Sequence, residues 1–286
     1  KIVTVKQMKI AAGLILRKGL LINSMLFNSE AWHNFSQSQV EAFEKIDEAL
    51  LRGLVLGHAK IPVPALYLET GQAPIRYLLA CRRLLYLQTI LQRDSDELIH
   101  KVYIAQKAAP SPGDFCQLVD KDRQLLDCLF TDEQIASISK YDFKTILKKK
   151  AKEEAFRTLM AIKESKSKMD NISYTNTFQT QPYLTSTSRT NSSLLMALRT
   201  RTVRGIRSEF GEMYSSKQCP LQGCSAPDSL PHTLICQVLI AAVPEPSLVQ
   251  YGDVFSDIVA LQETAVTRVA LLLEARERIL DSTDTH

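Results

Sequence analysis

Four metal-ligand side chains crowd into the eighteen residues "CPLQGCSAPDSLPHTLIC", which run from Cys219 to Cys236. No other stretch restricts the fold as tightly. It holds three of the six cysteines and one of the five histidines. Cys219 and Cys224 are spaced C-x4-C, and His232 and Cys236 follow as H-x3-C. Pro220 and Gly223 bend the first turn, and Pro227 and Pro231 bend the connection. Thiolate and imidazole donors in two short chelating turns suit tetrahedral zinc. A run this short has almost no core of its own, so a bound ion would supply most of its folding free energy, roughly 10–16 kcal/mol in small zinc peptides. Four protein ligands leave no open coordination position, which makes the expected role structural.

The rest of the chain reads as helix. Ten Gly and eleven Pro in 286 residues leave little punctuation for many short strands. The first thirty-five residues read as a core helix. Ser36 with Gln39 has capping-box spacing ahead of Val40, Phe43, Ile46, Leu50 and Leu54, one apolar stripe, and Gly57 ends that run. Prolines 62 and 64 open a short helix, Gly71 closes it, and Pro74 opens a longer one. That helix turns Ile75, Leu78, Leu79, Leu85 and Ile90 inward and leaves Arg76, Arg82 and Arg83 to point out. Further helices follow Asp94–Glu97 and the Pro/Gly turn at 110–113, and Thr131 with Gln134 forms a second cap pair. A basic helix spans about 142–166, with nine Lys or Arg against three Glu between Lys144 and Lys168. Residues 167–193, rich in Ser, Thr and Asn, read as a linker. A helix carrying Arg199, Arg201, Arg204 and Arg207 then leads into the cysteines. A last amphipathic helix is expected from about Val254 to Leu280.

Composition narrows the function classes. The net charge of +4 is concentrated in the basic helix, while the chain beyond Glu245 is acidic, so the working surface is expected to be cationic. Arg17 and Lys18 interrupt the most apolar early stretch, which excludes it as a membrane span. Cys81, Cys116 and Cys128 are scattered singly and read as buried free thiols of an intracellular protein. No Gly-rich phosphate loop and no nucleophile–base pattern is present. Trp32 and Phe35 read as core, and His33, His58 and His100 have no metal partner in the pattern.

The segment "SLLMALRTRTVRGIRSEFGEMYSSKQCPLQGCSAPDSLPHTLIC" resembles the region after the polymerase core in non-LTR (LINE-type) retrotransposon reverse transcriptases. "LLINSMLFNSEAW" is similar to the end of the palm. "LYLETGQAPIRYLLACRRLLYLQTIL", "ELIHKVYIAQ" and "GDFCQLVDKD" are similar to the thumb and connecting helices. The likeness runs from about Leu20 to Cys236. One departure is the first turn: the family knuckle spaces its cysteines C-x2-C, and here Gln222 and Gly223 intervene.

The resemblance implies a mainly α fold: a helical thumb-like bundle with a small zinc-knuckle module. Taken with composition and periodicity, the resemblance divides the chain into a thumb and connection region (1–166), the linker (167–193), an Arg-rich helix with a CCHC knuckle (194–240) and a C-terminal amphipathic helix (241–286). It implies binding of RNA or DNA through backbone contacts, by Arg199, Arg201, Arg204 and Arg207 ahead of the knuckle and by Arg76, Arg82, Arg83 and Lys101 on the thumb-like helices. The Tyr/Phe-x-Asp-Asp tetrapeptide that holds catalytic metal ions in such polymerases does not occur; "YGDVFSD" and "KYDFK" do not match it. The chain is therefore expected to be a non-enzymatic part of a polymerase. No small-molecule substrate is expected, and the metal is expected to be structural Zn2+. A helical interaction scaffold with the same zinc site is the alternative.

Overall fold

The structure is a computed structural model. It describes residues 8–32, 36–55, 61–166, 169–170, 172–174, 178–203, 206, 218–243, 254 and 259–283. The fold is mainly helical, as expected, and the described residues contain no strand. The chain divides into two compact units that are each discontinuous in sequence. One comprises Leu14–Leu51 and Gly71–Ile162; the other comprises Lys1–Gly13, Arg52–Thr70 and Lys163–His286.

In chain order the helices begin with α1 (Ile10–Leu16), which continues through a π-turn over Arg17–Ile22 into α2 (Asn23–Met25). A 3₁₀ turn at Ser29–Ala31 precedes α3 (Gln37–Leu54) and α4 (Val63–Thr70). Next come α5 (Ile75–Leu91), α6 (Leu98–Ala108), α7 (Phe115–Leu125), α8 (Asp132–Ser137) and α9 (Lys140–Glu164). They are followed by α10 (Tyr183–Ser186), α11 (Arg189–Arg199), α12 (Leu230–Ile235), α13 (Gln237–Ala242) and α14 (Val259–Thr283).

Both capping boxes form. Ser36 Oγ accepts the Gln39 N–H while Gln39 Oε1 accepts the Ser36 N–H, and Thr131 and Gln134 repeat the exchange at the head of α8. Pro74 is the N-cap of α5, and Gly71 sits at φ +61° after α4. The single long N-terminal helix does not form, because Asn28 takes φ +54° after the Met25 turn. Gly57 lies outside the described residues.

The unit of Leu14–Leu51 and Gly71–Ile162 departs from a simple apolar stripe. Ile46, read from its spacing as core, is exposed, and α3 instead buries Val40, Glu44, Asp47 and Leu51. The two acids are tolerated because arginines meet them. Arg17 binds Asp47 through two contacts of 2.5 and 2.6 Å and also donates to Gln72, while Arg76 binds Glu44 through both carboxylate oxygens. Ile22, Leu26, Val40, Ile75 and Leu79 complete this core, with Phe43 and Leu78 packed against it.

Asp132 ties α6, α7 and α8 together. It accepts from Tyr103 Oη (2.8 Å), Lys107 Nζ (2.6 Å) and Arg123 Nη2 (2.5 Å). Burial alone would raise its pKa, but these three donors outweigh that and bring it down to about 2. A depressed carboxylate adds stability above its unfolded value of about 3.9 and loses it as pH falls through the folded value. Asp132→Asn should therefore flatten the stability of the chain between about pH 4 and 2, read by acid titration of helical circular dichroism.

The second unit absorbs the segment read as a linker. Met169, Ile172, Phe178, Tyr183 and Leu184 are buried there, so the described residues of 167–193 are packed and do not form a solvated connection. Its anchor is α4. Gln181 N–H donates to Glu69 C=O (2.8 Å), Thr180 Oγ1 donates to Thr70 C=O (2.8 Å), and the hydroxyls of Tyr174 and Tyr183 bind the Glu69 carboxylate. Serines and threonines in a sequence look like loop chemistry. Here the apolar residues among them carry the packing.

Candidate metal centre

The cysteine segment is held open at one end and pinned at the other. An isolated antiparallel bridge joins Gln218 and Pro227, with Cys219 N–H donating to Ala226 C=O (2.9 Å). Inside that bridge Leu221 to Cys224 forms a turn, closed by Cys224 N–H to Leu221 C=O (3.1 Å). Gly223 occupies its third position at φ +80°, where a left-handed residue is required. The two residues added to the usual C-x2-C spacing thus form a complete turn, and both thiols still face the same point. At the far end Ser229 caps α12, accepting the His232 N–H at 3.3 Å, and Pro231 fits the first turn of that helix. The cap places His232 one turn before Cys236, which stands at the junction of α12 and α13.

The donor atoms of Cys219, Cys224, His232 and Cys236 all lie within 4.8 Å of one another. Cys224 Sγ is 3.3 Å from His232 Nε2. With metal–sulfur bonds of about 2.3 Å and metal–nitrogen bonds of about 2.0–2.1 Å, a tetrahedron has edges of about 3.5–3.8 Å. The cluster is already near that size, and it can hold a metal ion. Cys219 and Cys236 are buried, while Cys224 and His232 are half-buried. Without a metal, burial pushes the Cys219 thiol up to about 11. Metal binding must therefore displace protons, and affinity falls as pH falls.

The centre is rooted in the second unit by apolar and ionic contacts. Cys219, Leu221, Cys236, Leu239 and Val243 form one core with Leu272 and Ala275 of α14. Asp228, fully buried between the two ligand pairs, receives two 2.7 Å hydrogen bonds from Arg276 of α14. This pair was not foreseen from the sequence. A polar residue inside a cysteine loop carries no periodic signal, and nothing local in the sequence marks Arg276 as buried.

A Cβ built on Gly223 meets no atom within 4 Å, so Gly223→Ala tests backbone conformation alone. A side chain at positive φ costs about 1–2 kcal/mol. Gly223→Ala should weaken metal binding by about 5- to 30-fold without changing its stoichiometry, measured by competition with a chromogenic chelator.

The basic residues fall into three groups. Two are buried in ion pairs and do not present a guanidinium to solvent. Arg199 binds Glu69 Oε1 through Nε at 3.0 Å, lies over the Tyr183 ring and donates to Val254 C=O; Arg83 binds both oxygens of Asp122. Burial lowers the pKa of Arg199, but the Glu69 carboxylate more than offsets this and the pKa rises. Three residues remain at least partly accessible. Arg76 is engaged by Glu44, Arg82 donates to Leu26 C=O and Asn23 Oδ1, and Lys101 is exposed beside Asp96.

The third group is the arginine helix, which stops early. Arg201 N–H bonds to Leu198 C=O and Thr202 N–H to Ala197 C=O, a Schellman closure that puts Arg201 at φ +51°. Arg199 is the last residue of α11, and Arg201 lies beyond its end. Arg204 and Arg207 lie outside the described residues. Sequence reading missed this end because its left-handed residue is an arginine in place of the usual glycine.

No protein-family model, curated protein or solved structure matches the chain. Among the described residues no helix is long and apolar enough to cross a membrane.

Proposed function

We propose that the chain is a nucleic-acid-binding part of a retroelement reverse transcriptase, with zinc at Cys219, Cys224, His232 and Cys236 as a structural ion. The observation that carries this reading is the convergence of three thiols and one imidazole within 4.8 Å. Three sulfurs and one nitrogen this close together fit zinc, and all four positions would be filled by protein, so the ion would order the chain and not activate water. The order of the segments resembling the thumb, the connecting helices and the knuckle supports the retroelement assignment.

Under this reading the contacts go to phosphates, and Arg201, Arg82 and Lys101 remain candidates after Arg199 and Arg83 are removed by their buried partners. Affinity for RNA or DNA should then fall steeply between 50 and 200 mM salt, as expected of a binder that releases counterions. Mobility-shift titrations of the zinc-loaded protein test this, with Arg201→Ala expected to weaken binding. A protein that binds no nucleic acid at low salt contradicts the reading.

A helical interaction scaffold is the second reading. The observation that favours it is the exposure of Ile15, Leu20 and Phe27, three large apolar side chains near one another in sequence. A scaffold would bind no RNA or DNA with zinc present.

A further inference from the structure

The basic helix α9 sorts its cations into two kinds. Lys149 reaches Glu153 at 3.8 Å, Arg157 binds Glu154, and Lys150 is half-buried against Asp127, donating to its carbonyl at 2.7 Å. Lys140, Lys144, Lys148 and Lys152 are exposed and make no ion pair among the described residues. They recur every four residues, so they form one ridge about 18 Å long. Phe143, Leu147, Ala151 and Ala155, each buried, run directly beside it and fix which way the ridge faces. Anchors from α5 lock that orientation: Tyr77 Oη donates to Thr158 Oγ1 at 2.9 Å, and Cys81 Sγ to Leu147 C=O at 3.5 Å.

Like charges four residues apart repel on a helix. Acids stand on the same helix at Asp142, Glu153, Glu154 and Glu164; Lys149 and Arg157 pair with Glu153 and Glu154, Ser139 donates to Asp142, and none of the four acids forms an ion pair with a ridge lysine among the described residues. A second observation lies on the same face. Tyr141 is 78% exposed, next in sequence to Lys140 and one turn before Lys144. An aromatic ring held in solvent beside a row of lysines has the composition of a single-strand binding surface, in which phosphates follow the cations and a base stacks on the ring.

We infer that α9 is a single-stranded nucleic-acid track, with Lys140, Lys144, Lys148 and Lys152 facing successive phosphates and Tyr141 stacking a base. This inference rests on the nucleic-acid reading above and gives it a surface that the arginines do not supply. Regular cation spacing and a stacking ring favour a single strand over an acidic protein or a lipid surface, neither of which offers bases.

The test is fluorescence anisotropy of the zinc-loaded chain with labelled single-stranded oligo(dT) and oligo(U) 20-mers and a duplex of equal length. The four-lysine variant Lys140→Gln/Lys144→Gln/Lys148→Gln/Lys152→Gln should lower the slope of log affinity against log salt by roughly 3. Tyr141→Ala should weaken single-strand binding by about 5- to 150-fold and leave that slope unchanged. All five side chains are exposed, so circular dichroism should be unaltered in every variant. Equal affinity for duplex together with no effect of Tyr141→Ala would overturn the track. So would displacement of the oligonucleotide by polyglutamate or phosphatidylserine vesicles at equal charge concentration. Binding that survives the four-lysine variant but is lost in Arg201→Ala would sink this inference and leave the retroelement reading standing. No binding by the unaltered protein would sink both.

Discussion

Chelating the metal from the purified chain at neutral pH is expected to unfold the segment Gln218–Val243 while the unit containing α5 to α9 keeps its structure. The segment contains two six-residue helices and one turn, none of which is stable alone in water. Its apolar core is shared with α14, where Leu221, Leu239 and Val243 meet Leu272 and Ala275. Free metal a thousandfold above its dissociation constant contributes about 4 kcal/mol, and the roughly 10–16 kcal/mol of isolated zinc peptides bounds the effect from above. Hydrogen exchange should show loss of protection in α12 and α13. Cys236→Ser should reproduce the loss without chelator, while Cys81→Ser, at a half-buried thiol outside the cluster, should not. Protection that is unchanged after chelation would mean that the four side chains are merely packed together.

Replacing Glu69 with alanine should cost about 3–5 kcal/mol, the largest effect expected of a single side chain outside the metal centre. Glu69 is fully buried and accepts from Tyr174, Tyr183 and Arg199. Burial, reinforced by the neighbouring carboxylate, holds the pKa of both tyrosines well above the usual phenol value, so they remain donors. Removing the acceptor leaves a buried guanidinium without its counter-charge and two hydroxyls without their partner. Arg199→Met should be costly for the converse reason, and Glu69→Ala with Arg199→Met should be less costly than the sum of the two. Urea unfolding of the four proteins measures that coupling. The same series separates two roles for Arg199. An arginine that gripped phosphate would change nucleic-acid affinity and leave the unfolding midpoint alone.

Local chemistry accounts for what was legible in the sequence. Ser36–Gln39 and Thr131–Gln134 announced helix starts because a capping box involves residues only three apart. Pro74 and Gly71 marked a boundary by fixing backbone angles. The cluster able to hold a metal ion was legible because few residue types bind soft metals and their spacing was short.

What was not legible depends on partners far along the chain. Arg199 pairs with Glu69 and Arg276 with Asp228, separations of 130 and 48 residues, and nothing local distinguishes such arginines from solvated ones. Glu44 and Asp47 displaced Ile46 from the core of α3 for the same reason, because Arg76 and Arg17 meet them there. The described residues of the polar segment 167–193 pack because scattered aromatic and aliphatic side chains are buried among them and the acid and carbonyls of α4 satisfy their hydroxyls.

X-ray absorption at the zinc edge is the most direct test of the metal centre. On protein purified without chelator we expect one zinc per chain with three sulfurs at about 2.3 Å and one nitrogen at about 2.0–2.1 Å. Cys224→Ser should change that shell, not leave it intact. A substoichiometric metal content, or a zinc shell built of oxygen and nitrogen, would contradict a centre formed by Cys219, Cys224, His232 and Cys236.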